Sequence, residues 1–66
     1  MKKKIKFPDN IENRSALILL RDIYRKVRAF CSFEERLWLI TGNEGDLEIY
    51  AKKLRKMAEK YDLLEK

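Results

Sequence analysis

The apolar residues between positions 10 and 30 recur at the spacing of an α-helix. One stripe with this period comprises Ala16, Leu17, Leu20, Ile23, Tyr24, Val27, Phe30 and Cys31. Neither glycine nor proline interrupts the stretch, and Asp9 or Asn10 can cap its start. The pattern therefore predicts a first helix from about Asn10 to about Phe30.

A capping box marks the start of a second helix. Ser32 can accept the amide of Glu35 while the Glu35 side chain reaches back to the amide of Ser32. Gly42 suits the left-handed residue that often follows a helix end. The sequence predicts a short helix from Phe33 to about Thr41. Three apolar side chains fall on its expected core face: Phe33, Leu37 and Ile40.

A third apolar pattern fills the last part of the chain. Its members alternate at spacings of three and four residues, like the a and d positions of a heptad: Leu47, Tyr50, Leu54, Met57, Tyr61 and Leu64. Gly42 and Gly45 precede this pattern within a short turn. We predict a third helix that begins between Glu44 and Asp46 and runs to the carboxyl terminus.

Three amphipathic helices joined by short turns predict an all-α, compact three-helix fold with a long–short–long order. Residues 10–66 form this domain, and residues 1–9 form a basic amino-terminal arm that ends near Pro8. We expect helices 1 and 3 to pack as an antiparallel pair, with helix 2 across one end. The alternative is an elongated dimer in which helix 3 pairs with its copy.

The chain has few means of reinforcing a small core. Its 66 residues include one cysteine and no histidine, which leaves neither an internal disulfide nor the usual ligands of a zinc site. Small folds without such reinforcement often depend on association. We therefore expect some self-association, and a homodimer is one form of it.

Positive charge is concentrated in the first half of the chain. Residues 1–33 contain nine Lys/Arg and three acidic residues, whereas residues 34–66 contain seven and eight, and the net charge is +5. A basic arm followed by a basic helix is attracted to anionic surfaces. The alternative is a solvated face that keeps a small protein in solution. The candidate contact residues are Lys3, Lys4, Lys6, Arg14, Arg21, Arg25 and Arg28.

Several large apolar residues fall outside the predicted core stripes: Ile11, Ile18, Trp38, Leu39 and Ile49. A group of exposed apolar side chains that includes a tryptophan is typical of a docking surface. We predict that these residues anchor a partner. Two alternatives stay open: either the arm folds back over Ile11 and Ile18, or helix 2 is buried on most sides.

Enzyme chemistry has little support in this sequence. Histidine, the usual general base near neutral pH, is absent, and no serine, threonine or cysteine has the sequence context of an activated nucleophile. The glycine-bearing turn lacks the Gly-Lys-Ser/Thr ending of a phosphate-binding loop. We predict a non-enzymatic protein with no catalytic residues, no metal and no cofactor.

The predicted function is that of a small regulator or inhibitor that docks on an acidic surface of a partner protein. The alternative is a nucleic-acid-binding accessory protein that contacts the phosphate backbone with the arm and helix 1. Stable membrane attachment is not expected, because only Ile5 and Phe7 of the arm are available for insertion. One unpaired cysteine and the lack of an apolar signal segment favour the cytoplasm.

Overall fold

The computed structural model describes residues 4–12 and 14–65, and this part of the chain contains three helices. Helix α1 spans Arg14–Val27, α2 spans Phe33–Ile40 and α3 spans Leu47–Lys60. No strand occurs in the described residues, although Ile5 and Leu64 form one isolated parallel β-bridge. The predicted all-α fold with a long–short–long order is confirmed.

Side-chain caps define the starts of α2 and α3. The Ser32 hydroxyl accepts the Glu35 amide at 3.2 Å, and the Glu35 carboxylate accepts the Ser32 amide at 3.0 Å, so the predicted capping box is confirmed. Asp46 caps α3 by accepting two backbone amides of its first turn. After α2, Gly42 adopts the predicted left-handed conformation with a φ of 73°.

Helix α1 is shorter than predicted at both ends. The Asn10 side chain accepts the Glu12 amide at 2.9 Å, which forms a local turn before the helix begins. At the other end, the Phe30 amide bonds the Val27 carbonyl at 3.0 Å, only three residues back. The chain therefore tightens into a turn after Val27 instead of continuing as an α-helix.

Helix α3 ends at Lys60 and does not reach the carboxyl terminus. Asp62 has a φ of 55°, and this left-handed residue turns the following segment toward the arm. Ile5 then donates its amide to the Leu63 carbonyl at 2.6 Å and accepts the Glu65 amide at 2.8 Å. The Ile5 side chain is buried in the core, so the arm lies against the carboxyl-terminal segment.

The core lies where α1, α2 and the two terminal segments meet α3. Its buried apolar side chains are Ile5, Leu20, Ile23, Val27, Leu39, Ala51, Leu54, Ala58 and Leu63. Helices α1 and α3 make the closest packing between helices, as the sequence predicted. Removal of these side chains from water supplies the main free energy that favours the fold.

The direction of the long helices differs from the predicted antiparallel arrangement. Near their starts, Leu17 of α1 lines one cavity together with Leu47 and Tyr50 of α3. Beyond their ends, the ring centroids of Phe30 and Tyr61 lie 6.3 Å apart. Because like ends lie together, α1 and α3 run in the same direction.

Helix α2 runs back along α3 instead of crossing one end of the long pair. In its first turn, Glu35 pairs with Lys60 near the end of α3 at 2.5 Å. Just after its last turn, the Thr41 carbonyl accepts from Lys53 at 2.6 Å. Short turns make consecutive helices antiparallel, so the first and third helices of the chain become parallel.

Candidate docking surface

Four arginines lie along one side of the first helix. At about 3.6 residues per turn, Arg14, Arg21, Arg25 and Arg28 fall within an arc of roughly 60°. All four are exposed. Arg28 follows the last residue of α1, but its amide still bonds the Tyr24 carbonyl at 2.8 Å and so continues the same side. We call these four residues the arginine row.

The arginine row makes no ion pair within the described part of the chain. The ion pairs of that part lie elsewhere: Lys4–Asp62, Lys52–Glu48, Arg55–Glu59 and Lys60–Glu35. Each of them includes at least one residue of α3 or of the segment that follows it. The cations of the row are therefore available to an external anion, whereas carboxylates neutralise several cations of α3.

The described lysines of the arm lie at the carboxyl-terminal segment and not beside the arginine row. Lys4 pairs with the Asp62 carboxylate at 3.1 Å and donates to the Asp62 carbonyl at 2.7 Å. Lys6 is exposed in a cleft that Glu65 also lines. Lys3, another predicted contact residue, lies outside the described residues. The predicted basic residues are thus divided between two regions.

The predicted apolar anchors also lie in different places. Ile18 is 64% exposed and lies at the edge of the arginine row, beside Arg25 and on the side away from Tyr24. Ile11 is partly buried and packs against the core. Trp38 and Ile49 line a cleft between α2 and α3. Of these anchors, Ile18 combines high exposure with a position next to the arginine row.

The prediction for the faces of α2 is wrong. Leu39, a predicted anchor, is fully buried, whereas Phe33 is 70% exposed, Leu37 46% and Ile40 55%. Apolar residues occupy most of the second half of this eight-residue helix, so its sequence pattern does not define one core face. Polar contacts with α3 at both ends of α2 hold the observed rotation.

This rotation leaves an apolar groove open between α1 and α2. Within the described part of the chain, both helices pack on α3 but their backbones do not approach each other closely. The groove has a volume of about 370 Å³. Its lining side chains are Tyr24, Phe33, Arg36, Leu37 and Ile40. We call it the α1–α2 groove; its lining is apolar apart from the Tyr24 hydroxyl and the Arg36 cation.

The arginine row borders the α1–α2 groove. Arg21 and Arg28 lie three residues before and four residues after Tyr24, so each neighbours Tyr24 on the helix surface. Arg36 belongs to α2, on the other side of the groove. The structure therefore places cations on both sides of an apolar lining.

Apolar surface continues from the groove toward the start of α1. Leu17 precedes Tyr24 by about two turns and lines a second cavity of about 200 Å³. Tyr50 of α3 also lines this cavity. Burial raises the pKa of the Tyr50 hydroxyl, the nearby Tyr24 raises it further, and Arg21 lowers it. Tyr24, which lines the groove, thus lies near enough to Tyr50 to affect its pKa.

The α2–α3 cleft contains the remaining predicted anchors, Trp38 and Ile49, and has a volume of about 380 Å³. Basic side chains also line it: Lys52, Lys53, Arg55 and Lys56. Lys53 donates to the carbonyls of Trp38 at 3.2 Å and Thr41 at 2.6 Å, and its Nζ lies 5.4 Å from the Trp38 ring centroid. Lys52 and Arg55 pair with acids of α3 itself. Most cations of this cleft therefore already have a partner in their own chain.

Sequence reasoning missed a polar cluster that joins the start of α2 to the end of α3. Lys60 Nζ lies 2.5 Å from Glu35 Oε2, and the Tyr61 hydroxyl donates to Glu35 Oε1. Hydrogen bonds from Lys60, the Ser32 amide and Tyr61 lower the pKa of the Glu35 carboxyl to about 2. The capping box of α2 explains Glu35 in the sequence. The position of Lys60, 25 residues later, does not indicate that it pairs with Glu35.

The side chains of the arginine row and the α1–α2 groove are of types that bind other molecules. Burial, followed by the charge of Glu35, raises the pKa of the Cys31 thiol, which disfavours the reactive thiolate. Among the described residues, no group of three or more His, Cys, Asp or Glu side chains is placed to hold a metal ion. The arginine row and the α1–α2 groove instead offer charge-assisted hydrogen bonds and apolar contact area.

Comparisons with known proteins do not indicate a function for this chain. No family model, curated protein or solved structure matches the chain. In the part of the chain that the structure describes, no helix has the length and apolar character needed to cross a membrane. The observed class is a small three-helix fold with a basic and apolar helical surface.

Proposed function

We propose that this chain is a small non-enzymatic protein that regulates or inhibits a partner protein by docking on an acidic surface of that partner. One observation carries the proposal: the arginine row makes no ion pair within the described residues and lies beside exposed apolar side chains. Like charges three and four residues apart destabilise a helix slightly. An acidic partner would relieve this repulsion while covering the apolar side chains.

In this mechanism the arginine row acts before the apolar side chains. Exposed cations accelerate and orient the encounter with an acidic surface. Each guanidinium group can then hold a carboxylate through two parallel hydrogen bonds. Leu37 and Ile40 in the groove, and Ile18 at the outer edge of the row, lose contact with water as the complex closes. The bound chain would regulate its partner by covering that partner's surface.

The non-enzymatic part of the proposal is supported by the residue types of the chain. It has no histidine, and its single cysteine has a raised pKa. Glu35, the carboxylate with the most strongly lowered pKa, is engaged by Lys60 and Tyr61 of its own chain. These groups are poorly suited to proton transfer or nucleophilic attack near neutral pH.

A pull-down with charge-reversed variants tests this function. Wild-type protein and the triple variant Arg21→Glu, Arg25→Glu, Arg28→Glu serve as baits in nuclease-treated extract of cells that produce the chain. We expect the wild type to recover an acidic protein that the triple variant loses. The matched control is Lys26→Glu, Lys52→Glu, Lys56→Glu, which makes the same change in net charge away from the arginine row. If both variants lose the partner equally, net charge and not the row decides binding, and the proposal fails.

Nucleic-acid binding is the second candidate, because the row of guanidinium groups also suits a phosphate backbone. Engagement of Lys4 by Asp62 leaves the arm less able to contribute. A mobility-shift assay at low salt, with DNA and RNA in single- and double-stranded form, separates the two candidates. Binding that disappears in the arginine variant but not in the lysine control supports this second candidate. No shift at micromolar wild-type protein excludes it.

A further inference from the structure

We infer that the α1–α2 groove receives an acidic amphipathic helix of the partner protein, seated as a fourth helix beside α1 and α2. This inference rests on the proposed docking function and specifies the form of the partner. Three properties of the groove support it: its position between two helices, its apolar lining and its basic borders.

The groove has the geometry of an unfilled helix position. Helices α1 and α2 both pack on α3, while their backbones stay apart within the described part of the chain. Four-helix bundles place a helix against two such neighbours, with axes about 8–10 Å apart. The 14 residues of α1 extend for about 21 Å, which provides contact for roughly four turns of an added helix.

The lining suits the apolar stripe of such a helix. Phe33, Leu37 and Ile40 are among the most exposed large apolar side chains of the described residues. On the α1 side, Tyr24 lines the groove, and Leu17, two turns earlier on α1, lines the separate cavity beside the start of α3. A helix with apolar residues at positions i, i+3, i+4 and i+7 matches this arrangement.

Charge selects an acidic helix and disfavours a second copy of this chain. Arg36 lines the groove, Arg21 and Arg28 border it, and no acidic side chain lies among its lining residues. A two-fold dimer through this face would bring two arginine rows together, because the same patch of each copy faces the other. Acidic flanks on a partner helix would instead pair with the row. Self-association of the chain stays a prediction, and we expect it to use another face.

Fluorescence anisotropy with designed peptides tests the inference. The probe is a labelled peptide of about 15 residues with leucines at the four stripe positions and glutamates on both flanks. One comparison peptide carries lysines in place of the glutamates, and another has the same composition with the leucines out of register. We expect each comparison peptide to bind wild-type protein about tenfold more weakly or worse. No binding of the acidic probe at about 1 mM overturns the inference.

Variants of the protein locate the binding site of the probe. Leu37→Asp with Ile40→Asp should weaken binding about tenfold or more, while Ile49→Asp in the α2–α3 cleft should leave it within about twofold. Circular dichroism confirms that each variant keeps its helices. Equal weakening by the groove and cleft variants contradicts the inference. So does a wild-type homodimer, measured by sedimentation, that the groove variant disrupts, because a second copy would then fill the groove.

The two proposals fail in different ways. If pull-downs recover an acidic partner through the arginine row but the variant Leu37→Asp, Ile40→Asp retains it, the docking function stands and the groove assignment is wrong. If the acidic probe binds in the groove but no cellular protein depends on the row, the groove assignment stands and the proposed function is wrong.

Discussion

The α1–α2 groove and the α2–α3 cleft are alike in size and composition but differ in how their cations are used. Both have exposed apolar side chains beside basic residues, and their volumes are about 370 and 380 Å³. In the cleft, Lys53 binds two backbone carbonyls, while Lys52 and Arg55 pair with acids of their own helix. Beside the groove, the arginine row has no ion pair within the described residues.

This difference shows why composition alone does not identify a binding surface. A cation that already bonds its own chain must lose that bond before it can bind a partner, whereas an unpaired cation loses only water. Trp38 and Ile49, two of the predicted anchors, lie in the cleft. The contacts of Lys53 make this cleft the less available of the two regions.

The largest expected difference in stability is between substitutions on the buried face and on the exposed face of α2. The exposed face lines the groove. Leu39→Ala should lower the free energy of unfolding by about 2–5 kcal/mol, because it leaves a cavity in the core. Leu37→Ala removes the same atoms from an exposed position in the groove. This variant should lower the free energy of unfolding by only about 0.5 kcal/mol. Urea denaturation of both variants provides the measurement. Equal losses would mean that α2 has a different rotation and that the groove is not open.

A smaller effect distinguishes the cations of the two regions. Lys53→Met keeps the aliphatic stem but removes the ammonium that bonds the carbonyls of Trp38 and Thr41. We expect a loss of about 1 kcal/mol, since the bonds are charge-assisted but partly exposed. Arg25→Met, the matched change in the arginine row, should stay within about 0.5 kcal/mol of the wild type. A clear loss of stability from Arg25→Met would show that the arginine row stabilises the fold. The cations of the two regions would then not differ in use.

The smallest predicted effect concerns the pH dependence of the Glu35 cluster, which holds α2 against α3. The carboxyl has a pKa of about 2 in the folded chain, compared with an ordinary value of 4.5. Its ionised form therefore contributes stability that is complete above about pH 4.5 and is lost as the pH falls toward 2. Thermal denaturation should show that Glu35→Gln is less stable than wild type near pH 6 and that the difference narrows on acidification. A difference that stays constant from pH 6 to 2 would contradict this role of Glu35.

Local features of the fold could be predicted from the sequence because they depend on neighbouring residues. Ser32 and Glu35 are three positions apart, so the capping box of α2 is legible without tertiary structure. The same holds for Leu20 and Ile23, whose helical spacing placed them in the core. Each of these features arises within one or two turns of backbone.

Features that depend on distant residues could not be predicted in this way. The rotation of α2 places Leu39 inside, and contacts with α3 hold it in that position. The sequence defined an arm before Pro8, but the pairing of Ile5 with Leu63 required α3 to end before the carboxyl terminus. The parallel direction of α1 and α3, by contrast, could have been predicted, because two short turns reverse the chain twice.

The candidate docking surface could likewise be predicted only in part. The helical period of α1 is enough to place Arg21, Arg25 and Arg28 on one side of that helix. The spacing of Phe33, Leu37 and Ile40 resembles a buried stripe and so predicts, wrongly, that they lie in the core. Their position in the groove depends on the rotation of α2, which its end contacts with α3 fix.

Backbone amide chemical shifts, followed during titration with the acidic amphipathic peptide, show directly where the peptide binds. Binding in the α1–α2 groove should shift the amides of Tyr24, Leu37 and Ile40, with little change at Ile49 and Lys53. Shifts confined to Ile49, Lys53 and their surroundings would instead place the binding surface in the α2–α3 cleft and rule out the groove.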